Sequence, residues 1–198
     1  MPPKHVIAHQ TPAVITSYAA AWVCGAGTKS PQDAASYIKT GKNLSPLYYP
    51  QFVGKTEQQI RASFDKQLFM SHPDDTLTKI LGEPVYVPWD CLSARHMISI
   101  IDDKIGLIAR PQGVTANYQT ILHVDKFRDP RYPVCTEYAE AVAQLSMAVW
   151  KTPNAATFFT RYGGTLVHHT FDHDVVNDML DKIIEWADTI ELPAPDTQ

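Results

Sequence analysis

Hydrophobic positions along the chain change period, and the changes divide it into regions. Near the N-terminus Ile15, Tyr18 and Trp22 fall on one helical face. Thr11 can cap that helix with Pro12 at its first position, and Gly25 can end it. Ser30-Pro31 starts a second helix by the same device, and Gly41 closes it. "NLSPLYYPQF" is an aromatic, proline-rich connector. Thr56 to Gln59 form a capping box ahead of Ile60, Phe64 and Leu68, and His72-Pro73 stops that helix. Leu77, Ile80 and Leu81 mark a short helix ending at Gly82.

The period changes after Glu83. "PVYVPW" reads as strand, "HMISIIDDKIGLIARP" as a hairpin turning at Asp102-Asp103, and "NYQTILHVDKF" as a further strand. Residues 84 to 127 are therefore expected to form a small antiparallel sheet. A helix over 90 to 101, capped by Asp90, competes with the hairpin, because Ala94, Met97 or Ile98, and Ile101 also fit a helical period. Beyond "RDPRYP" the helical period returns with Tyr138, Val142, Leu145 and Val149. Phe158, Phe159 and Tyr162 predict a shorter helix closed by Gly163-Gly164, and "TLVHHTF" an edge strand. A last helix from about Asp174 places Val176, Met179, Ile183, Trp186 and Ile190 on one side. The fold class is α+β. It is expected to be a helix-rich single domain over 1–198, with a small central antiparallel sheet flanked by N- and C-terminal helices and extended tails at both ends.

Composition narrows the function. The chain has 198 residues, 44% hydrophobic and 19% charged, which is enough apolar matter for a core. Its net charge is -4 and its basic residues are scattered, so nucleic acid is not expected as the main ligand. No stretch has the apolar length to cross a bilayer, and "MPPKHVIAHQTP" does not read as a signal peptide. Cys24, Cys91 and Cys135 are too widely spaced for a disulfide framework or paired zinc ligands. Reduced thiols in a cytoplasmic protein are the expectation, or a virion protein if the chain is viral.

Three places could carry chemistry. Cys91 followed by His123, with Asp125 or Asp129 to orient the ring, follows the nucleophile–base–carboxylate order of papain-like enzymes. A helix over 90 to 101 would put Cys91 at a helix N-terminus, where a thiolate is favoured. "HHTFDHD" offers His169, Asp172 and His173 to a divalent metal, with both imidazoles on one face if the segment is helical. The competing reading makes the aspartates caps of the last helix. His173-Asp174 also matches the paired ligands of HD-type phosphohydrolases, although only 24 residues follow Asp174. "GAGTKS" lacks the spacing of a phosphate loop, and the H-x-T triplets at His9 and His168 lack the flanking apolar pattern of two-histidine phosphoesterases. The aromatic loops "PLYYPQF", "YVPW" and "RDPRYP" fit contact with proteins. The leading expectation is a non-catalytic assembly or protein-binding subunit of a larger complex, such as a virion or phage component or a regulator. It self-assembles or binds a protein partner and has no resident cofactor. A Cys-His-Asp hydrolase or acyl transferase and a metal-binding protein are the alternatives.

Overall fold

The structure is a computed structural model describing residues 13–38, 59, 62, 65, 66, 68, 70–88, 98–100, 105–125, 136–160 and 163–192. Two sheets order it. In the smaller, β1 (Ala13–Thr16) runs parallel to β4 (Ile105–Ile108), and β3 (Ile98–Ile100) lies antiparallel on the other side of β4. The larger has the order β2 (Val85–Tyr86), β5 (Gly113–Thr115), β6 (Thr120–Asp125), β7 (Asn154–Phe159), β8 (Thr165–Thr170). All its pairings are antiparallel except β6 with β7. Parallel neighbours need a crossover, and helix α4 (Thr136–Trp150) supplies it. The fold is α+β with helices flanking the sheets. No helix among the described residues is long and apolar enough to span a membrane.

Local signals set the helix ends. Thr16 caps α1 (Ser17–Val23) by accepting from the Ala19 N–H. Ser30 and Asp33 form a reciprocal capping box on α2 (Pro31–Ala35), with proline at the first position. Asp74 caps α3 (Asp75–Leu81), which Gly82 ends in the left-handed conformation. Asp172 caps α5 (His173–Ala187), whose Val176, Met179, Leu180, Ile183 and Ala187 face inward.

The larger sheet is covered on both sides. One face joins the main core, where Val114, Ile121 and Ala155 meet α1, α4 and α5. On the other, Val85, Leu122 and Ala156 pack with Leu77, Ile80 and Leu81 of α3. Every residue of α4 from Ala141 to Trp150 is buried.

Three expectations are corrected. The segment after Thr11 is strand, not helix, up to Thr16: Ala13, Val14 and Ile15 pair with β4, and the cap falls five residues later. Phe158 and Phe159 lie on β7 rather than on a helix. They point to opposite faces, both covered, so the run loses the alternation that marks a strand. Gly163 and Gly164, both at positive φ, lie between β7 and β8. Finally, residues 84 to 127 do not form one antiparallel sheet. Their strands divide between two sheets, each completed by a parallel partner distant in sequence. The hairpin strands, the edge position of β8 and the last helix are as expected. The capping box at 56–59 falls mostly outside the described residues.

Gly113 sits where β5 passes β2. A Cβ there would lie 2.2 Å from Val85 Cγ1, closer than packed atoms approach. Gly113→Ala should lower stability to urea by about 1–3 kcal/mol. Adding Val85→Ala should restore part of that loss, and both are read from denaturation midpoints.

Candidate functional site

Side chains alternate along a strand, so Ile121, His123 and Asp125 share one face of β6. The register places Ala155, Thr157 and Phe159 beside them on β7, and His169 across from Ala155 on β8. Ile121 and Ala155 belong to the core. His123, Thr157 and His169 interrupt it with three buried polar side chains beneath α1 and α4. Two hydrogen-bonded chains hold them.

The first chain holds His123. The Val124 N–H donates to Gln112 Oε1 at 2.8 Å. That leaves the Gln112 amino group to donate to the Tyr18 hydroxyl. Tyr18 in turn meets His123 Nδ1 at 3.1 Å, with the rings edge to face and 5.8 Å apart. Burial raises the Tyr18 pKa above its usual value. The Gln112 hydrogen bond opposes that rise and the Asp125 charge adds to it. A protonated phenol that accepts from Gln112 has its own O–H free to donate to Nδ1, and with that donation the neutral ring carries its proton on Nε2. His123 is 3% exposed, and its Nε2 has no hydrogen-bond partner among the described residues. Burial first, then the neighbouring His169, push its pKa down to about 4.

The second chain runs the other way. Thr157 Oγ1 meets His169 Nε2 at 3.0 Å, and His169 Nδ1 contacts a Glu140 carboxylate oxygen. A carboxylate only accepts, so Nδ1 bears a proton, and in the neutral ring Nε2 accepts from the threonine hydroxyl. Gln144, one turn along α4, donates to the other Glu140 oxygen at 2.8 Å and to the Thr170 carbonyl at 2.7 Å. Its own oxygen accepts from the Asp172 N–H at 2.9 Å. A hydroxyl, an imidazole and a carboxylate thus stand in bonding order. The Glu140 side chain is 49% exposed and forms the solvent end.

The structure sorts the residues singled out in the sequence. Cys91 and Asp129 lie outside the described residues. His123 and Asp125 share a strand face, but Tyr18 rather than Asp125 holds the His123 ring. Asp125 acts on Tyr18 through its charge. His169 and His173 do not share a helical face, because His169 is on β8 and His173 opens α5. His173 is 68% exposed and bonds Asn177 at 3.0 Å. Asp172 accepts from the Asp174 and Val175 N–H groups at 3.0 and 3.1 Å, the capping role. No group of three or more His, Cys, Asp or Glu among the described residues is placed to hold a metal ion. Burial raises the Cys24 thiol to about 12, too high for a nucleophile at neutral pH. Sequence reading missed Tyr18, Gln112, Glu140, Gln144 and Thr157. A glutamine inside the apolar run "AVAQLSMAVW" was a usable sign, since a buried amide requires partners.

No family model matches the chain, and no curated protein does. A solved structure similar to it is an alkaline exonuclease (LHK-Exo) from Laribacter hongkongensis, 13% identical, covering 89% of this chain and 87% of that one, with a TM-score of 0.44. That protein is a nuclease, which runs against two expectations. One was a non-catalytic assembly subunit, the other that nucleic acid is not a main ligand, and neither is retained. A likeness this distant carries no argument about the side chains described above.

The depressed His123 pKa has a definite consequence for stability. The unfolded ring takes up a proton near pH 6.5 and the folded ring only near 4, so the unfolded state binds more protons between them. The contribution is complete above about pH 6.5 and is lost as pH falls towards 4, amounting to roughly 3 kcal/mol. Urea unfolding between pH 7.5 and 4.5 should show a steeper decline for the native chain than for His123→Gln. Parallel declines would show that the ring is not held neutral.

Proposed function

We propose that the chain is a hydrolase of ester bonds, phosphodiesters included, with Thr157, His169 and Glu140 handling the proton. The observation that supports this reading is the order of the second chain, hydroxyl to imidazole to carboxylate, with the His169 tautomer fixed. That is the arrangement a weak nucleophile needs. As Thr157 Oγ attacks the ester centre, its proton passes to His169 Nε2, and Glu140 steadies the charged ring. The same proton then leaves with the departing alkoxide. Water repeats the sequence and releases the acid. Gln144 keeps Glu140 in place from within the helix.

Turnover should be measured with p-nitrophenyl carboxylates, bis-p-nitrophenyl phosphate, and single- and double-stranded DNA. One of these classes should be hydrolysed. His169→Gln and Thr157→Val should each lower kcat/KM about 10²- to 10⁴-fold, with thermal melts confirming the fold. Inactivity of the native protein on the whole panel, or a rate that survives both substitutions, would discard the reading.

A further inference from the structure

His123 takes no part in the proton transfer just described, yet it is as enclosed as His169. Three features set its surroundings. First, His123 and Thr157 are paired across β6 and β7, so their side chains rise side by side from one face. Second, the Gln112–Tyr18 relay leaves the phenol O–H free to donate to Nδ1, and with that donation Nε2 bears the hydrogen. Third, that Nε2 is buried and has no partner among the described residues. A buried donor without an acceptor is unfavourable until a bound group supplies one.

We infer that His123 is the neutral hydrogen-bond donor of the site, its Nε2–H binding the carbonyl or phosphoryl oxygen of the ester attacked at Thr157. The inference rests on the hydrolase reading and adds the group that receives the developing negative charge. A reacting atom beside Thr157 Oγ has its oxygen within reach of the neighbouring strand position. A donor fixed beforehand stabilises that oxygen more as charge grows on it, which favours the transition state over the ground state. Tyr18 and Gln112 are positioning residues: they touch the ring and not the ester. Burial keeps the ring uncharged at neutral pH, so it donates without competing with His169 for the proton.

Two measurements test this, one of them independent of activity. Nitrogen-15 NMR of the native protein at pH 7.5 should show a neutral His123 ring protonated at Nε2. Tyr18→Phe should let it shift towards a mixture of tautomers. A native ring protonated at Nδ1 overturns the inference even if esters are hydrolysed. In kinetics on the panel substrate, His123→Phe should lower kcat about 10²- to 10³-fold with little change in KM. His123→Gln, which restores an N–H donor, should recover at least about tenfold of that loss. A ring that only filled space would be replaced better by Phe than by Gln, so the reverse order also overturns the inference. A His123→Phe enzyme at full rate, while His169→Gln is inactive, removes the donor role and leaves the hydrolase reading standing. Full activity of His169→Gln removes both. If His123→Phe does not fold, the tautomer measurement and the Tyr18→Phe and His123→Gln kinetics still decide.

Discussion

Helix α4 has no solvent side between Ala141 and Trp150, and the arrangement of the described residues follows from that enclosure. A helix wrapped on all sides can hold polar side chains only where each finds a partner inside. Gln144, Ser146 and the Trp150 indole are such groups. Ser146 bonds Ser17 at 3.1 Å and so ties α4 to the first turn of α1. The Trp150 N–H donates to the Ala109 carbonyl at 3.2 Å, just beyond the end of β4 in the smaller sheet. Gln144 uses both ends of its amide on the β8–α5 connection. These bonds give directional fixing that apolar packing alone does not supply.

The same helix therefore sets the chemistry on the sheet beneath it. Gln144 orients Glu140, Glu140 fixes the His169 tautomer, and His169 receives the Thr157 hydroxyl. On its other side Tyr138 donates to the Tyr18 carbonyl at 3.1 Å and stacks on Trp22. With the Ser17–Ser146 bond, this seats α1 so that the Tyr18 hydroxyl lies against His123. One crossover, required because β6 and β7 run parallel, thus aligns two hydrogen-bonded chains that meet at neighbouring strand positions.

Helices declared by their ends were legible in the sequence. Ser30-Pro31, Gly82 and the Asp172–Asp174 turn are local devices, readable without knowing what the helix packs against. Strand β7 was not legible. Both of its faces are covered, so "NAATFF" shows no alternation and its two phenylalanines imitate a helical pair. The two parallel pairings were hidden for a different reason. β1 finds β4 and β6 finds β7 across long stretches of chain, and no local period encodes such a meeting. The site divides in the same way. His123, Asp125 and His169 were visible as residue types able to do chemistry. Their partners were not, because Tyr18 lies 105 residues from His123, and Glu140 lies 29 from His169. The histidine-rich segment reads as one cluster in sequence, yet a strand end, a cap and a helix start pull its members apart.

The two buried imidazoles differ in what they can do because they differ in what they touch. His169 has a carboxylate on one nitrogen and a hydroxyl on the other, so a proton arriving at Nε2 finds its counter-charge already in place. His123 has only a phenol on Nδ1, and the nearby Asp125 charge acts on that phenol. Charging both rings would set two cations side by side under an apolar helix, and His169 is indeed among the causes that depress His123. One ring carrying the proton therefore makes the other the better uncharged donor. A pair of like groups separated in this way by their surroundings divides proton transfer from charge stabilisation. The division does not need the two rings to differ in burial. It follows from α4 carrying Glu140 and α1 carrying Tyr18 over the same face of the sheet, each helix reaching a different ring.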